Sequence, residues 1–323
     1  MALDFTLLTR DQIWGEKALE VIKKYGSKVA PTDLSVLLGG RMGGYTPSEK
    51  TSERELACDT WTASFHRGFR SKLEVCACDA DGLASEQFEF VRRDLAVRPV
   101  LPPSETAKLT PTVRRKGING VDIVEFGEYP QTIMDEKTGK ELDELHASGA
   151  LSPTGKTYTF DDIDPKNCTE KFRSWGSCKE YAHNGKKYIR LDGHPADNDS
   201  QLSSGEKAQT KPYWIQVKPI EWLQDKDGTW VSKKCLFSGV QFDTEGAYNL
   251  DVFEDFEKTF MKRYLKTYFS KEIVPSHLKE KSQEVEKTTS QKLTDLLSSK
   301  SKNLEKKKSP LATQLKAQKQ KSL

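Results

Sequence analysis

Apolar positions near the start of the chain recur at helical spacing. Ile13, Trp14, Ala18, Val21, Ile22 and Tyr25 fall on one face of a helix expected over 10–25. Thr9 and Gln12 have capping-box spacing, and Gly26 suits the stop. A second short helix is expected from Thr32-Asp33 to Gly39-Gly40. After Gly44 the pattern changes to short β-type runs at 60–64 and 73–77, with Asp81-Gly82 as a hairpin signal. Residues 96–101 read as a closing strand, broken by Pro99 and followed by Pro102-Pro103. Residues 103–119 hold Pro103, Pro111, Gly117 and the cluster Arg114-Arg115-Lys116 among few apolar positions, which predicts a linker.

A second body opens with the apolar-rich run 121–126, a strand expected to end at Gly127. Leu142 and Leu145 mark a short helix. Asn184-Gly185 and Asp227-Gly228 each predict a hairpin, because a type I′ turn needs positive φ at both central positions. The run 213–223 predicts a central strand pair bent at Pro219. Phe253, Phe256, Phe260, Tyr264 and Tyr268 form one stripe of a helix over 251–270, read as core, as are Trp61 and Trp222. Pro275 ends this body. The expected fold class is α+β, with short antiparallel strands and a few packed helices. The chain has neither a GxGxxG nor a GxxxxGK[ST] string, so a nucleotide-binding βαβ unit has no support.

Composition and charge divide the 323 residues further. The net charge is +3, but residues 275–323 carry 12 Lys against 5 acidic residues, so the first 274 residues carry −4. That last stretch has no Phe, Trp or Tyr and is expected to be a flexible Lys-rich tail that cannot offset its ordering entropy. Leu297, Leu304 and Leu311 recur every seven residues, which raises an oligomerising or partner-binding helix as the alternative, although Pro310 interrupts it. Nucleic-acid binding through Lys306-Lys307-Lys308 is the least favoured reading. No apolar run approaches the roughly 18–20 residues of a membrane span. The first residues lack the basic and apolar regions of a secretory signal, so a cytoplasmic or phage-associated protein is expected.

Six cysteines are present and none forms a CxxC pair, so reduced thiols are expected. Cys168, Cys178, His183 and His194 lack the tight pair of a structural zinc site. Asp192, Asp197, Asp199 and Glu206 read as a solvated loop, because the glycine position is wrong for an EF-hand. No metal and no cofactor are expected.

Three strings carry a resemblance. Residues 123–132 (IVEFGEYPQT), 219–223 (PIEWL) and 232–237 (SKKCLF), with the closing helix, resemble the front half of a bacterial domain family of unknown function. That family is similar to formylglycine-generating enzymes and to C-type lectins. Its back half carries a helix, a Trp-x-x-Ser strand, a polar variable stretch with a Gly turn, and a closing Val-Arg-Pro-Ala-Leu. Here the helix at 10–25, residues 61–64 (WTAS), Asp81-Gly82 and residues 97–101 (VRPVL) resemble that half, and they come first. The resemblance implies a C-type-lectin-like, formylglycine-generating-enzyme-like fold with its halves in circularly permuted order. Residues 1–102 would be the back-half segment, 103–119 the splice, 120–274 the front-half segment and 275–323 the tail.

The stretch 65–93 keeps no period-2 apolar face, although well-patterned elements flank it. Phe65, His66, Arg67, Phe69, Arg70, Glu74, Cys76, Cys78, Phe88 and Phe90 stand in it among small and acidic residues. Aromatic and Arg anchors with small spacers fit a recognition surface on a rigid scaffold. In lectin-like variable proteins, a stretch just before the closing strand plays that role, so the resemblance implies a face for a protein or glycan ligand. The expected function is therefore non-catalytic binding. Two alternatives stand beside it: a copper-dependent thiol oxidase built on Cys76 and Cys78, since soft thiolates suit Cu(I), and a structural or interaction protein of a phage or mobile element.

Overall fold

The computed structural model describes residues 3–42, 57–67, 73–87, 94–117, 120–160, 176–197, 200–243 and 255–274. It starts with helices whose caps were legible. In α1 (Arg10–Trp14) the Thr9 side chain accepts from the Gln12 N–H, and the Gln12 side chain returns to the Thr9 N–H, completing the capping box. The helix expected over 10–25 is broken in two. Gly15 closes α1 with its N–H on the Asp11 carbonyl, and the chain turns before α2 (Glu20–Tyr25). Gly26 stops α2 at φ +89°. Thr32 caps α3 (Asp33–Leu37).

Two sheets follow. The smaller is the antiparallel order β1 (Thr60–Arg67), β2 (Leu73–Cys78), β3 (Ala84–Gln87). The larger begins with β4 (Val100–Leu101). The segment expected as a linker then carries α4 (Pro103–Thr106), with Pro at its first turn, and β5 (Val113–Lys116). All four β5 residues are exposed, which hid them from a hydrophobic-pattern reading, and their pairing comes from the free edge of β6 (Asp122–Ile133). After α5 (Glu136–Ala147) come β7 (Ser152–Thr159), β8 (Ser177–His183), β9 (Lys186–Asp192), β10 (Pro212–Gln224) and β11 (Trp230–Ser232). Their order is β4-β11-β10-β9-β8-β7, with β6 on the other side of β10 and β5 outside β6.

β10 is one long strand rather than two. Its first residues pair with β9 and its last with β11, while β6 runs beside most of its length. Pro219 does mark an irregularity, between its own pairing with Glu128 and that of Glu221 with Glu125. The extra residue sits on β6 at Gly127, which takes φ +74°. A Cβ there would lie 2.9 Å from the Ile273 carbonyl oxygen. Gly127 is therefore a bulge inside β6 and not its end.

The two hairpin dipeptides behave differently. Asn184 and Gly185 take φ +51° and +72°, as a type I′ turn requires. Of Asp227-Gly228, only Gly228 is at positive φ; its N–H reaches the Asp225 carbonyl, a longer loop than the predicted two-residue turn. The expected helix over 251–270 has its described part from residue 255. It is a 3₁₀ turn (Phe256–Lys258), α6 (Phe260–Tyr264), a π turn (Leu265–Phe269) and α7 (Ser270–Ile273). The widened turn shifts the stripe, so Leu265 and Phe269 are fully buried and Tyr268 is only half-buried.

The described residues from Leu3 to Ile273 belong to one compact unit. One cluster packs Leu8, Ile13, Leu19, Val21, Ile22, Cys78 and Val100 with Val121, Ile123, Leu223 and Val231. The core is thus shared by residues from both of the segments the sequence separates. The tail over 275–323 lies outside the described residues.

Candidate functional site

The three-stranded sheet is the part of the fold that carries the predicted recognition stretch, and its root is tightly held. Thr60, Trp61 and Thr62 on β1 are buried, as are Val75, Cys76, Ala77 and Cys78 on β2. Both faces of β2 are therefore covered, which explains the missing period-2 alternation. The Trp61 ring meets Phe242 at 5.1 Å between centroids, and the Ala63 N–H donates to the Leu8 carbonyl at 2.9 Å. The turn between β2 and β3 is pinned as well. Asp79 Oδ1 accepts the N–H groups of Asp81 and Leu83 at 3.0 and 2.8 Å. The Gly82 carbonyl, with Gly82 at φ +80°, accepts from Trp14 Nε1 at 3.0 Å and Ser27 Oγ at 2.8 Å. Asp59 Oδ1 accepts the Ala80 N–H at 2.9 Å, and burial raises its carboxyl above the ordinary range.

From this root the strands run outward. Phe65, half-buried, packs edge-on against Phe242 at 5.7 Å. Beyond it His66 pairs with Glu74 and Arg67 with Leu73. The side chains of His66, Arg67 and Glu74 fall outside the described set, and Phe69, Arg70, Phe88 and Phe90 lie outside the described residues altogether. Of the ten predicted site residues, Cys76 and Cys78 are placed in the root, 3% and 1% exposed. Leu83, on the pinned turn, is one of two large apolar side chains well exposed among the described residues.

Behind the root lies a polar cluster that sequence spacing did not bring together. Arg98, 5% exposed, donates from Nε to the Ser232 carbonyl at 2.9 Å. Its guanidinium couples to the thiols of Cys235, Cys78 and Cys58, and burial lowers its pKa. Burial pushes the Cys78 thiol up to about 12, against the opposing pull of Arg98. A copper ion on Cys76 and Cys78 would need both as thiolates, which burial opposes at Cys78. Among the described residues no group of three His, Cys, Asp or Glu is arranged to hold a metal. Of the zinc set weighed above, Cys168 is not described, Cys178 is buried with its thiol raised to about 11, and His183 Nε2 lies 3.2 Å from Glu141.

A cleft of about 80 Å³ opens between α3, β6 and β10–β11, lined among others by Thr32, Asp33, Gln131, Ser203 and Lys233. Asp33 is spoken for: its carboxylate accepts from the N–H of Ile133 at 2.8 Å and from the N–H and hydroxyl of Ser203 at 2.6 and 2.8 Å. Glu221 lies between Lys233, at 2.8 Å, and Arg115. Burial raises its carboxyl, but the hydrogen bonds from Lys233 and Arg115 outweigh that and hold it below the ordinary range. The cleft is thus mostly a structural polar junction.

No protein-family model, curated protein or solved structure matches this chain. No helix among the described residues is long and apolar enough to cross a membrane.

Proposed function

We propose that this chain is a non-catalytic binding protein that presents residues 65–93 as a recognition face on a permuted C-type-lectin-like scaffold. The observation that carries the reading is the contrast along the three-stranded sheet. Its root is buried and held by the hydrogen bonds of the Trp61, Ala63 and Ala80 N–H groups, whereas Ala63, Ser64 and Phe65, further along β1, are half-buried. A fixed root lowers the ordering cost of presenting aromatic and Arg anchors to a partner. Support for the permuted order comes from β4. Its Val100-Leu101, the end of the back-half pattern, pairs with Trp230 and Val231 just before the Ser232–Phe237 string of the front half. The partner class is a protein or a glycan surface, since Phe, His and Arg anchors serve both.

Near-identical copies of the gene test the reading without knowledge of the ligand. Substitutions are expected to concentrate in 65–93 and to spare Trp61 and Arg98. An even spread along the chain would remove the recognition face.

A further inference from the structure

Four extended segments close into a ring around two thiols. The Cys58 N–H donates to the Val29 carbonyl at 3.1 Å, and the Cys235 N–H to the Ala30 carbonyl at 3.0 Å. On the other side, the Leu236 N–H donates to the Val97 carbonyl at 3.0 Å and the Trp61 N–H to the Ala96 carbonyl at 3.1 Å. Val29, Cys58, Ala96 and Cys235 pack together in one cluster, and the Cys58 thiol donates to the Val29 carbonyl at 3.5 Å. Both are free thiols, 1% and 0% exposed. The wall of the ring also carries Arg98, whose charge couples first to Cys235 and then to Cys78 and Cys58. Structural cysteines in apolar surroundings are inert, whereas a neighbouring guanidinium stabilises the thiolate.

We propose that Cys58 and Cys235 are a redox pair that a hydroperoxide converts to a disulfide, clamping the segment that leads into β1 to the segment after β11. Burial holds the Cys58 thiol well above its ordinary pKa, which opposes its acting as the first nucleophile. In the first step the Cys235 sulfur attacks one peroxide oxygen as its thiolate. The O–O bond breaks, the leaving hydroxide takes the thiol proton, and one water forms with a sulfenic acid on Cys235. Cys58 sulfur then attacks Cys235 sulfur, the S–O bond breaks, and the second water leaves. Two thiols and one hydrogen peroxide give one disulfide and two waters. A small oxidant is required because the pair is enclosed, and it gains entry through local opening. The two residues are 177 positions apart (235 − 58), so the bond would restrict the unfolded chain over most of the fold. This inference is independent of what residues 65–93 bind.

The test uses the full chain, reduced, freed of reductant and exposed to hydrogen peroxide under native conditions. Remaining thiols are then alkylated and the chain is digested without reduction. The expected product is a Cys58–Cys235 linked peptide, with a rise in thermal midpoint that reductant reverses. C58S is expected to accumulate a dimedone-trappable sulfenic acid on Cys235, while C76S keeps the link. Linked peptides joining other cysteines, a link formed only in denaturant, or all thiols remaining alkylatable would each overturn the proposal. The wild-type peptide map decides even if a variant fails to fold.

Discussion

Asp225 Oδ1 accepts the N–H of Val21 at 2.9 Å, across 204 positions of sequence. Val21 is the second residue of α2, whose own N-cap residue, Leu19, supplies no side-chain hydrogen bond. A turn residue of the β10–β11 hairpin thus caps a helix near the start of the chain. Replacing Asp225 with Ala is expected to lower stability by about 1 kcal/mol, the usual cost of losing a cap. Asn, which keeps an acceptor oxygen, should lose less. Urea midpoints of the two variants check the order, and equal losses would show that the hydrogen bond contributes nothing.

The same relationship bears on the division of the chain. Residues 1–102 and 120–274 meet in the Asp225 cap, in the β4–β11 pairing and in one apolar cluster. Expressed separately, neither is expected to show a cooperative thermal transition; mixed, they are expected to regain one. Cooperative unfolding of either fragment alone would mean two cores.

Glu221 supplies a pH dependence. Its carboxyl titrates below the ordinary range in the folded chain, so its ion pairs stabilise fully above the unfolded value. That contribution is lost as pH falls through the lower, folded value. The side chain is 31% exposed, which keeps the effect small, at most about 1 kcal/mol. E221Q is expected to be less stable than the parent at pH 7, with the gap closing as the pH drops below the carboxylate range. A gap independent of pH, read from denaturant midpoints, would place the effect in packing instead.

What could be read beforehand was what local chemistry decides. The Thr9 capping box, the Thr32 cap and the Asn184-Gly185 turn each depend on a few adjacent residues. What escaped depends on distant partners. Gly127 reads as a stop until β10 runs alongside it and turns it into a bulge. The exposed run 113–116 has no apolar signal, and only the open edge of β6 makes it a strand. The site divides the same way. Residues 65–93 stood out by composition, but covering both faces of β2 removed the alternation that would have marked Cys76 and Cys78 as core. The ring of Cys58, Cys235 and Arg98 draws on four separated segments, and no spacing rule joins them.

The placement of Cys76 and Cys78 can be checked by their reactivity. A thiol with a pKa of about 12 is ionised to only about one part in 10⁴ at pH 8, and burial withholds it from reagent as well. In the native chain Cys78 is expected to react with iodoacetamide only as fast as the three-stranded sheet opens, many-fold below its rate in urea. Cys76, beside it on β2 and equally covered, should follow the same course. Site-resolved alkylation, followed by mass spectrometry over time, separates the two cysteines. Were either to label in the native state at the denatured rate, β2 would present that thiol to solvent. The proposed recognition face would then include β2 itself.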